Sequence, residues 1–393
     1  MVLASPVIET GVSIDIDHFH KVFAIASGVQ TVEAVCQTLE RVRSDVPRSL
    51  YCPERSQTRI GNGSTVVSSL LKSQKRLFKA NVRSLQKADH ITSLESEGTE
   101  HFRTWAKYAV VHNYGYQHYK ACILEKLKPE GYEVMELNSE HPKTVELHAM
   151  TKQIQESNYE KERISISEKL NPDNGTLETL QEKRNPTKHE RHTKKKGILC
   201  RRYKTEDITP EMIEKDDNGW FTQLMLHYYL TVGYAFLSIK ETKKLEQLTE
   251  NSNGQVFTPD VGHNFLSAQI QCLKAINMEQ FFNTETVLTS ENLKEWFEPL
   301  KMNQNRRAIK TFLNQSIGDN DSAVGFLQRT LLSVFGLKLM CLGQRTIDGK
   351  RVRCYQMKNL DPDNRTKIFE RWLKRDQTTH LPINNNNYQE GCA

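Results

Sequence analysis

The chain has 393 residues, 37% hydrophobic and 26% charged, with 54 Lys+Arg against 48 Asp+Glu for a formal net charge of +6. That length suits two or three domains whose core is interrupted by polar segments, and the modest positive charge implies a polyanionic partner only where it is locally concentrated. No run approaches the roughly 18 apolar residues of a membrane helix, the N-terminus lacks a basic secretion signal, and the 8 cysteines form no Cys-x-x-Cys pair, so a cytoplasmic protein with reduced thiols, no membrane partner and no metal site is expected.

Residues 1–60 alternate short apolar runs (2–8 and 22–26) with an amphipathic helix pattern over 29–42, the strand–helix–strand rhythm of an α/β unit. A turn follows at Gly61. Over 65–170 the pattern is helical. Val66, Val67, Leu70, Leu71, Leu77 and Phe78 recur at helical spacing, and an aromatic-rich helix over 101–127 ends before Pro129 and Gly131. Of its aromatics, Phe102, Trp105 and Tyr108 fall on one face with His112, which favours packing over base stacking.

Residues 171–204 are polar and basic, with Lys183, Arg184, Lys188, Arg191, Lys194, Lys195, Lys196, Arg201, Arg202 and Lys204, and read as a linker. The stretch 183–204 is either a solvated connection or a second, sequence-independent footprint on phosphates. Helix resumes at Thr209-Pro210, where threonine caps and proline takes the first helical position, and continues over 205–317. Asp216-Asp217-Asn218-Gly219 reads as an acidic turn before a helix at Trp220, and His227 as a packed core residue rather than a ligand.

In 318–376 a helix beginning near Ser322 precedes a turn at Phe335-Gly336. Strands over 337–343 and 351–357 follow, joined through Asp348-Gly349, a strong hairpin dipeptide. A helix followed by a two-stranded ribbon fits the end of a winged helix. Arg345, Lys350, Arg351 and Arg353 cluster at the ribbon tip, where they suit DNA contact, and Gln328 and Arg329 on the preceding helix are candidates for the major groove. The other reading of the cations is edge protection. Residues 377–393 read as a disordered tail.

The sharpest motif lies at the start: Glu9-Thr10-Gly11-Val-Ser13-Ile-Asp15, then Gln37-Thr-Leu-Glu40-Arg41-Val-Arg43. In order and spacing it resembles the fifth and sixth conserved motifs of superfamily 2 helicases, in the Arg-Val-Arg form of origin-binding helicases, with Glu40 where many members have glycine. The resemblance implies that Thr10 and Gly11 touch nucleic acid, that Asp15 couples to ATP, and that Gln37, Arg41 and Arg43 reach the γ-phosphate from a second, RecA-like lobe. A guanidinium suits that role because it is always charged and grips phosphate oxygens bidentately. Without the resemblance, the arginines read as a surface-helix pair for Glu40 or Asp45.

A phosphate-binding loop is missing from the sequence. The Gly349-Lys350 pair is followed by arginine, has no glycine five residues before it, and falls in the expected hairpin turn. The chain is therefore expected to begin partway through the second motor lobe. It should have no cofactor and no ATPase activity alone, and should use ATP and magnesium only when a nucleotide-binding lobe completes it.

The strings Leu199-Cys-Arg-Arg-Tyr-Lys, Ile208-Thr-Pro-Glu-Met, Glu214-Lys-Asp-Asp-Asn-Gly-Trp220 and Leu224-Met-Leu-His227-Tyr-Tyr-Leu-Thr-Val-Gly233 resemble the C-terminal region of cyanobacterial-type plasmid replication proteins, which join primase-like, helicase and accessory parts. Taken together, an α+β, mainly helical chain is expected: a partial RecA-like lobe over 1–60, a helical middle, and a winged-helix-like end. The expected function is a DNA-binding segment of a replication protein. The alternative is an interaction module that pairs with a full-length replication protein and modulates it without catalysis.

Overall fold

Apolar side chains spaced for one face of a helix and one face of a parallel sheet condense the N-terminal region. In the computed structural model, which describes residues 13–86, 95–96, 99–137, 144–250, 255–256, 266–347 and 350–379, β1 (Val22–Ile25) and β2 (Arg48–Tyr51) pair in parallel, with Val22 opposite Arg48 and Ile25 opposite Tyr51. Between them runs α1 (Val32–Leu39), started by the Thr31 hydroxyl, which accepts from the Ala34 amide at 3.2 Å. The helix ends at Leu39 rather than 42, because Val42 instead forms an isolated parallel bridge with Ile14. The expected first strand, over 2–8, lies outside the described residues.

The chain divides into two compact units, one comprising Met1–Val82, Ser93–Ser139 and Leu248–Gly262, the other Arg83–Thr92, Glu140–Gln247 and His263–Ala393. In the first, α2 (Val67–Gln86), β3 (Glu95–Ser96), α3 (Thr99–Gln117) and α4 (Tyr119–Leu127) follow the βαβ unit. The single aromatic helix expected over 101–127 is broken at His118, whose φ of −121° and ψ of 43° leave helical geometry. Val32, Val35, Cys36 and Leu39 of α1 pack with Tyr116, Tyr119 and Ile123. Buried Asn113 fastens the Gly61 turn to α3, accepting from the Ile60 amide at 2.8 Å and donating to the Ile60 and Ser64 carbonyls at 3.0 Å. Gly61 has a φ of +60°, and a Cβ there would stand 2.9 Å from Leu70 Cδ2, so glycine is required twice over.

The second unit opens with α5 (Thr144–Ser167), α6 (Asn174–Glu182), α7 (Lys188–Tyr203), α8 (Pro210–Asp217), α9 (Trp220–Leu230) and α10 (Tyr234–Glu250). Then β4 (Gln255–Val256) pairs in parallel with β3 in the first unit's set of residues. The second unit continues through α11 (Leu266–Ala275), β5 (Val287–Leu288), α12 (Lys294–Phe297), α13 (Asn303–Leu313), α14 (Ala323–Phe335), β6 (Leu339–Ile347), β7 (Lys350–Met357) and α15 (Arg365–Thr379). Helix dominates, as expected of an α+β, mainly helical chain.

Further boundaries differ from the sequence reading. Residues 171–204 are not a linker: they form α6 and α7, and Leu199, Cys200 and Tyr203 enter the core. The low apolar content misled because three residues suffice to bury one stripe of α7, while the charges occupy its other faces. Residues 318–376 are not a separate unit either, since Phe326, Leu331 and Phe335 share one core with Tyr203, Leu224, Tyr228, Ile270 and Trp372. The tail expected from 377 begins later, because α15 runs to Thr379; residues from 380 on lie outside the described set.

Candidate nucleic-acid interface

Each cation named above is either consumed inside the fold or left free. On α7 nearly all are consumed. Lys195 meets Asp216 at 3.3 Å and Asp217 at 3.0 Å, and Arg202 meets Asp216 at 2.5 Å. Lys196 is buried with its ammonium on the Ser167 carbonyl at 2.9 Å, and Arg201 donates to the Pro172 carbonyl and the Asn174 amide oxygen, both at 2.8 Å. Lys183 pairs with Glu190 at 2.6 Å, and Glu190 closes a capping box with Thr187. That lysine and the Thr187 amide hold the Glu190 carboxyl down at about 2. These contacts build the unit, which weakens the reading of 183–204 as a footprint on phosphates.

Asp216 is buried on the last turn of α8 rather than in an exposed acidic turn. It accepts from Tyr203 Oη at 2.7 Å as well as from Arg202 and Lys195, and these partners outweigh burial and hold its carboxyl below the usual range. Among the described residues no group of three or more His, Cys, Asp and Glu is placed to hold a metal ion. His227 lies buried against Phe282, Phe335 and Phe369, with Nδ1 at 3.1 Å from the Arg365 guanidinium. Burial first, and then the Arg365 charge, push it down to about 4.

The hairpin behaves oppositely. The strands of the three-stranded sheet run in the order β5-β7-β6, and β6 and β7 pair antiparallel, with Gly343 opposite Cys354, Gln344 opposite Arg353, Arg345 opposite Val352, Thr346 opposite Arg351 and Ile347 opposite Lys350. The root is anchored: Cys354 and Met357 are fully buried, and Gln356 donates to the Thr284 carbonyl at 2.7 Å. Beyond Cys354 the ribbon leaves the core. The side chains of Arg345, Arg351 and Arg353 are exposed and make no hydrogen bond or ion pair among the described residues. The two helix candidates fare differently. Gln328 is half-buried, and Arg329 is held by Asp321 at 2.7 Å and the Ser316 carbonyl at 3.0 Å, a clamp on its own loop.

In the first unit the isolated bridge sets Ile14 beside Val42. Ile14 N donates to the Arg41 carbonyl at 2.9 Å, and Arg43 N donates to the Ile14 carbonyl at 3.0 Å. Asp15 and Arg43 thus stand on adjacent extended segments, both exposed, with Gln37 exposed on the last turns of α1. Thr10 and Gly11 lie outside the described residues. Arg48 had no signal in the sequence. Its guanidinium donates to the carbonyls of Leu39, Val42, Val46 and Ser44 at 3.1, 2.7, 2.8 and 3.2 Å, and so shapes the loop that carries both arginines. Gln344 and Thr346 could have been found by counting back from the Asp348-Gly349 turn, since a two-residue turn fixes hairpin register.

These residues suit only one wall of an ATP site. They supply guanidinium, amide and carboxylate groups, but no glycine-rich loop stands in the sequence to cradle the phosphates. One further property of this region concerns its sheet. Phe23, Ile25 and Tyr51 on the face away from α1 are 74%, 79% and 68% exposed, although parallel strands are ordinarily covered on both faces.

The chain is 37% identical, over 98% of its length, to an uncharacterized protein of Picosynechococcus sp., and it spans 38% of that protein's length. No protein-family profile and no solved structure matches it. Among the described residues no helix is long and apolar enough to cross a membrane.

Proposed function

We propose that the chain is a DNA-binding segment of a plasmid replication protein of the primase–helicase kind, with the ribbon of β6 and β7 as its main DNA contact. One observation carries this reading. Of the cations singled out in the sequence, Arg345, Arg351 and Arg353 share one projecting ribbon and are exposed, with no side-chain partner among the described residues, so a polyanion can take them without breaking a contact seen there. Helix α14 with the ribbon is the winged-helix-like part of the proposal.

The βαβ unit is the proposed remnant of a RecA-like lobe. The bridge between Ile14 and Val42 supports it by bringing Asp15 beside Arg43, and so does the bare apolar sheet face. Gln37, Arg41 and Arg43 would then act on a nucleotide held by another lobe. The test is duplex binding by fluorescence anisotropy from 50 to 300 mM salt. Steep salt dependence is expected, with large loss when Arg345, Arg351 and Arg353 are all changed to Gln; no binding at 50 mM salt refutes the reading.

The second reading is an interaction module that pairs with a full-length replication protein, and the exposed Phe23, Ile25 and Tyr51 favour it. Co-elution with a nucleotide-binding lobe, lost in Ile25→Asp, would support this reading in the absence of DNA binding.

A further inference from the structure

We infer that the β6–β7 ribbon reads base sequence in the major groove of duplex DNA through one of its two faces, rather than only tracking phosphates. The inference rests on the DNA-binding reading above and adds the part of the duplex that is recognised.

The register decides which side chains act together. Cross-strand partners stand on the same face, and residues two apart along a strand return to it. Gln344 opposite Arg353 and Thr346 opposite Arg351 therefore form one face, while Arg345 opposite Val352 belongs to the other. The register shift between Cys341 and Gly343 lies below this region, so pairing is regular from Gly343 outward. Along each strand the two positions on the reading face are separated by about 6.6 Å, close to two base-pair steps.

The chemistry of that face differs from what phosphate tracking requires. The salt-sensitive attraction to phosphates comes from cations. Here half of the positions are a neutral amide and a hydroxyl, which add little attraction to a polyanion but discriminate base edges. Arginine matches the O6 and N7 acceptors of guanine, glutamine the N6 and N7 pattern of adenine, and threonine pairs with either or packs on the thymine methyl. Arg345, on the opposite face, is left for the phosphates of the groove wall. Gln344, Thr346, Arg351 and Arg353 are all exposed, and among the described residues none of their side chains has a hydrogen bond or ion pair.

The shape fits as well. A two-stranded ribbon enters a groove about 12 Å wide, and the minor groove at about 6 Å is too narrow for it. β5 pairs only with Gln356 and Tyr355 of β7, so the ribbon stands two-stranded above Cys354. Its free part reaches about 10 Å for three residues in each strand. The buried root, with Cys354 and Met357 fully enclosed, fixes the direction in which it points. Gly343, at the bulge, has a φ of +86°, and a bulge increases the right-handed twist that lets a ribbon follow a groove.

The experiment uses the full chain. Duplexes are selected from a random pool at moderate salt, and affinities are then measured for a selected duplex, a scrambled one, and the selected one with 7-deazaguanine, which removes the major-groove N7 acceptor. The selected duplex should bind at least about tenfold more tightly than the scrambled one, and 7-deazaguanine should erase most of that preference. Arg353→Lys keeps the charge but loses the bidentate grip, so it should lower the preference about tenfold and leave scrambled-duplex affinity nearly unchanged. Gln344→Ala should do the same at a different base pair. Equal binding of all duplexes with intact salt dependence overturns base reading and leaves DNA binding standing. A preference untouched by 7-deazaguanine or by Arg353→Lys overturns the assignment to this face and groove. Absence of binding to any duplex at low salt overturns both readings.

Discussion

The guanidinium of Arg48 donates to the carbonyl of Val42 at 2.7 Å, and Val42 is the residue between Arg41 and Arg43. One side chain at the start of β2 thereby fixes the carbonyls left unpaired at the C-terminal end of α1, at Leu39 and along the loop that follows. It also lies over the Tyr132 ring, 5.3 Å from the centroid. Arg48→Lys should destabilise the first unit by about 2 kcal/mol, because an ammonium cannot supply the planar fork that several carbonyls share. Hydrogen exchange is the sharper readout. The amide of Arg43, which donates to the Ile14 carbonyl at 3.0 Å, should exchange faster in the variant, and unchanged protection would show that the loop holds without Arg48.

Asp216 gathers Arg202, Lys195 and Tyr203 around one buried carboxylate. Asp216→Ala leaves these groups uncompensated where α7 meets α8, and should cost about 3 kcal/mol by urea denaturation. Asp217→Ala removes only an exposed partner of Lys195, at 3.0 Å, and should cost under about 1 kcal/mol. Equal losses would mean that the buried position of Asp216 is not what matters.

Gly197 sets two effects of opposite sign against each other. In an ordinary helix interior, replacing glycine by alanine stabilises by about 1 kcal/mol. Here a Cβ would stand 2.6 Å from Pro172 Cγ and 3.0 Å from its Cδ, and a proline ring cannot swing aside like a flexible side chain. Overpacking of that kind costs about 1–3 kcal/mol, so Gly197→Ala should be destabilising on balance. A raised thermal midpoint would mean that the Pro172 segment yields easily.

The two faces of this outcome explain how much the sequence disclosed. Periodic apolar spacing gave β1 and α1, the Thr209-Pro210 pair gave the start of α8, and the Asp348-Gly349 dipeptide gave the β6–β7 hairpin, because each signal lies within a few residues of sequence. It did not give α7, whose cations have partners far along the chain: Arg201 at Pro172 and Asn174, Lys196 at Ser167. Arg48 was illegible for a different reason: its partners are near in sequence, but a side chain that serves backbone carbonyls leaves no pattern in the residues it serves. The ribbon's free arginines were legible as a cluster, but that they lack partners follows only from the fold.

His227 makes stability depend on pH in a stated direction. Burial and the Arg365 charge lower its folded value to about 4, with Asp363 opposing them. The unfolded chain therefore binds a proton that the folded chain refuses. Stability is full above about pH 6.5 and declines as pH falls to 4, by about 3 kcal/mol from this group. Burial lowers His192 in the same direction, so some slope should survive in His227→Gln, but urea midpoints between pH 6.5 and 4.5 should flatten visibly. Below that window the lowered carboxyls of Asp216, Asp363 and Asp321 add further loss as they protonate.

The cations of α7 and those of the ribbon should separate in two measurements. Arg202 is bonded to Asp216 and lies over the Phe221 ring at 4.5 Å, so Arg202→Gln should lower the thermal midpoint and leave duplex affinity at permissive temperature nearly intact. Arg351→Gln in the ribbon should do the reverse, since no side-chain contact among the described residues is lost while a phosphate or base partner is. Each ribbon arginine removed should also reduce the slope of log affinity against log salt by about 0.9 if it neutralises a phosphate, and by less if it faces bases. Arg345, on the face opposite Gln344 and Arg353, should give the full reduction, and Arg353 the smaller one. The same slope change for both would place both on phosphates and remove the distinction between the faces.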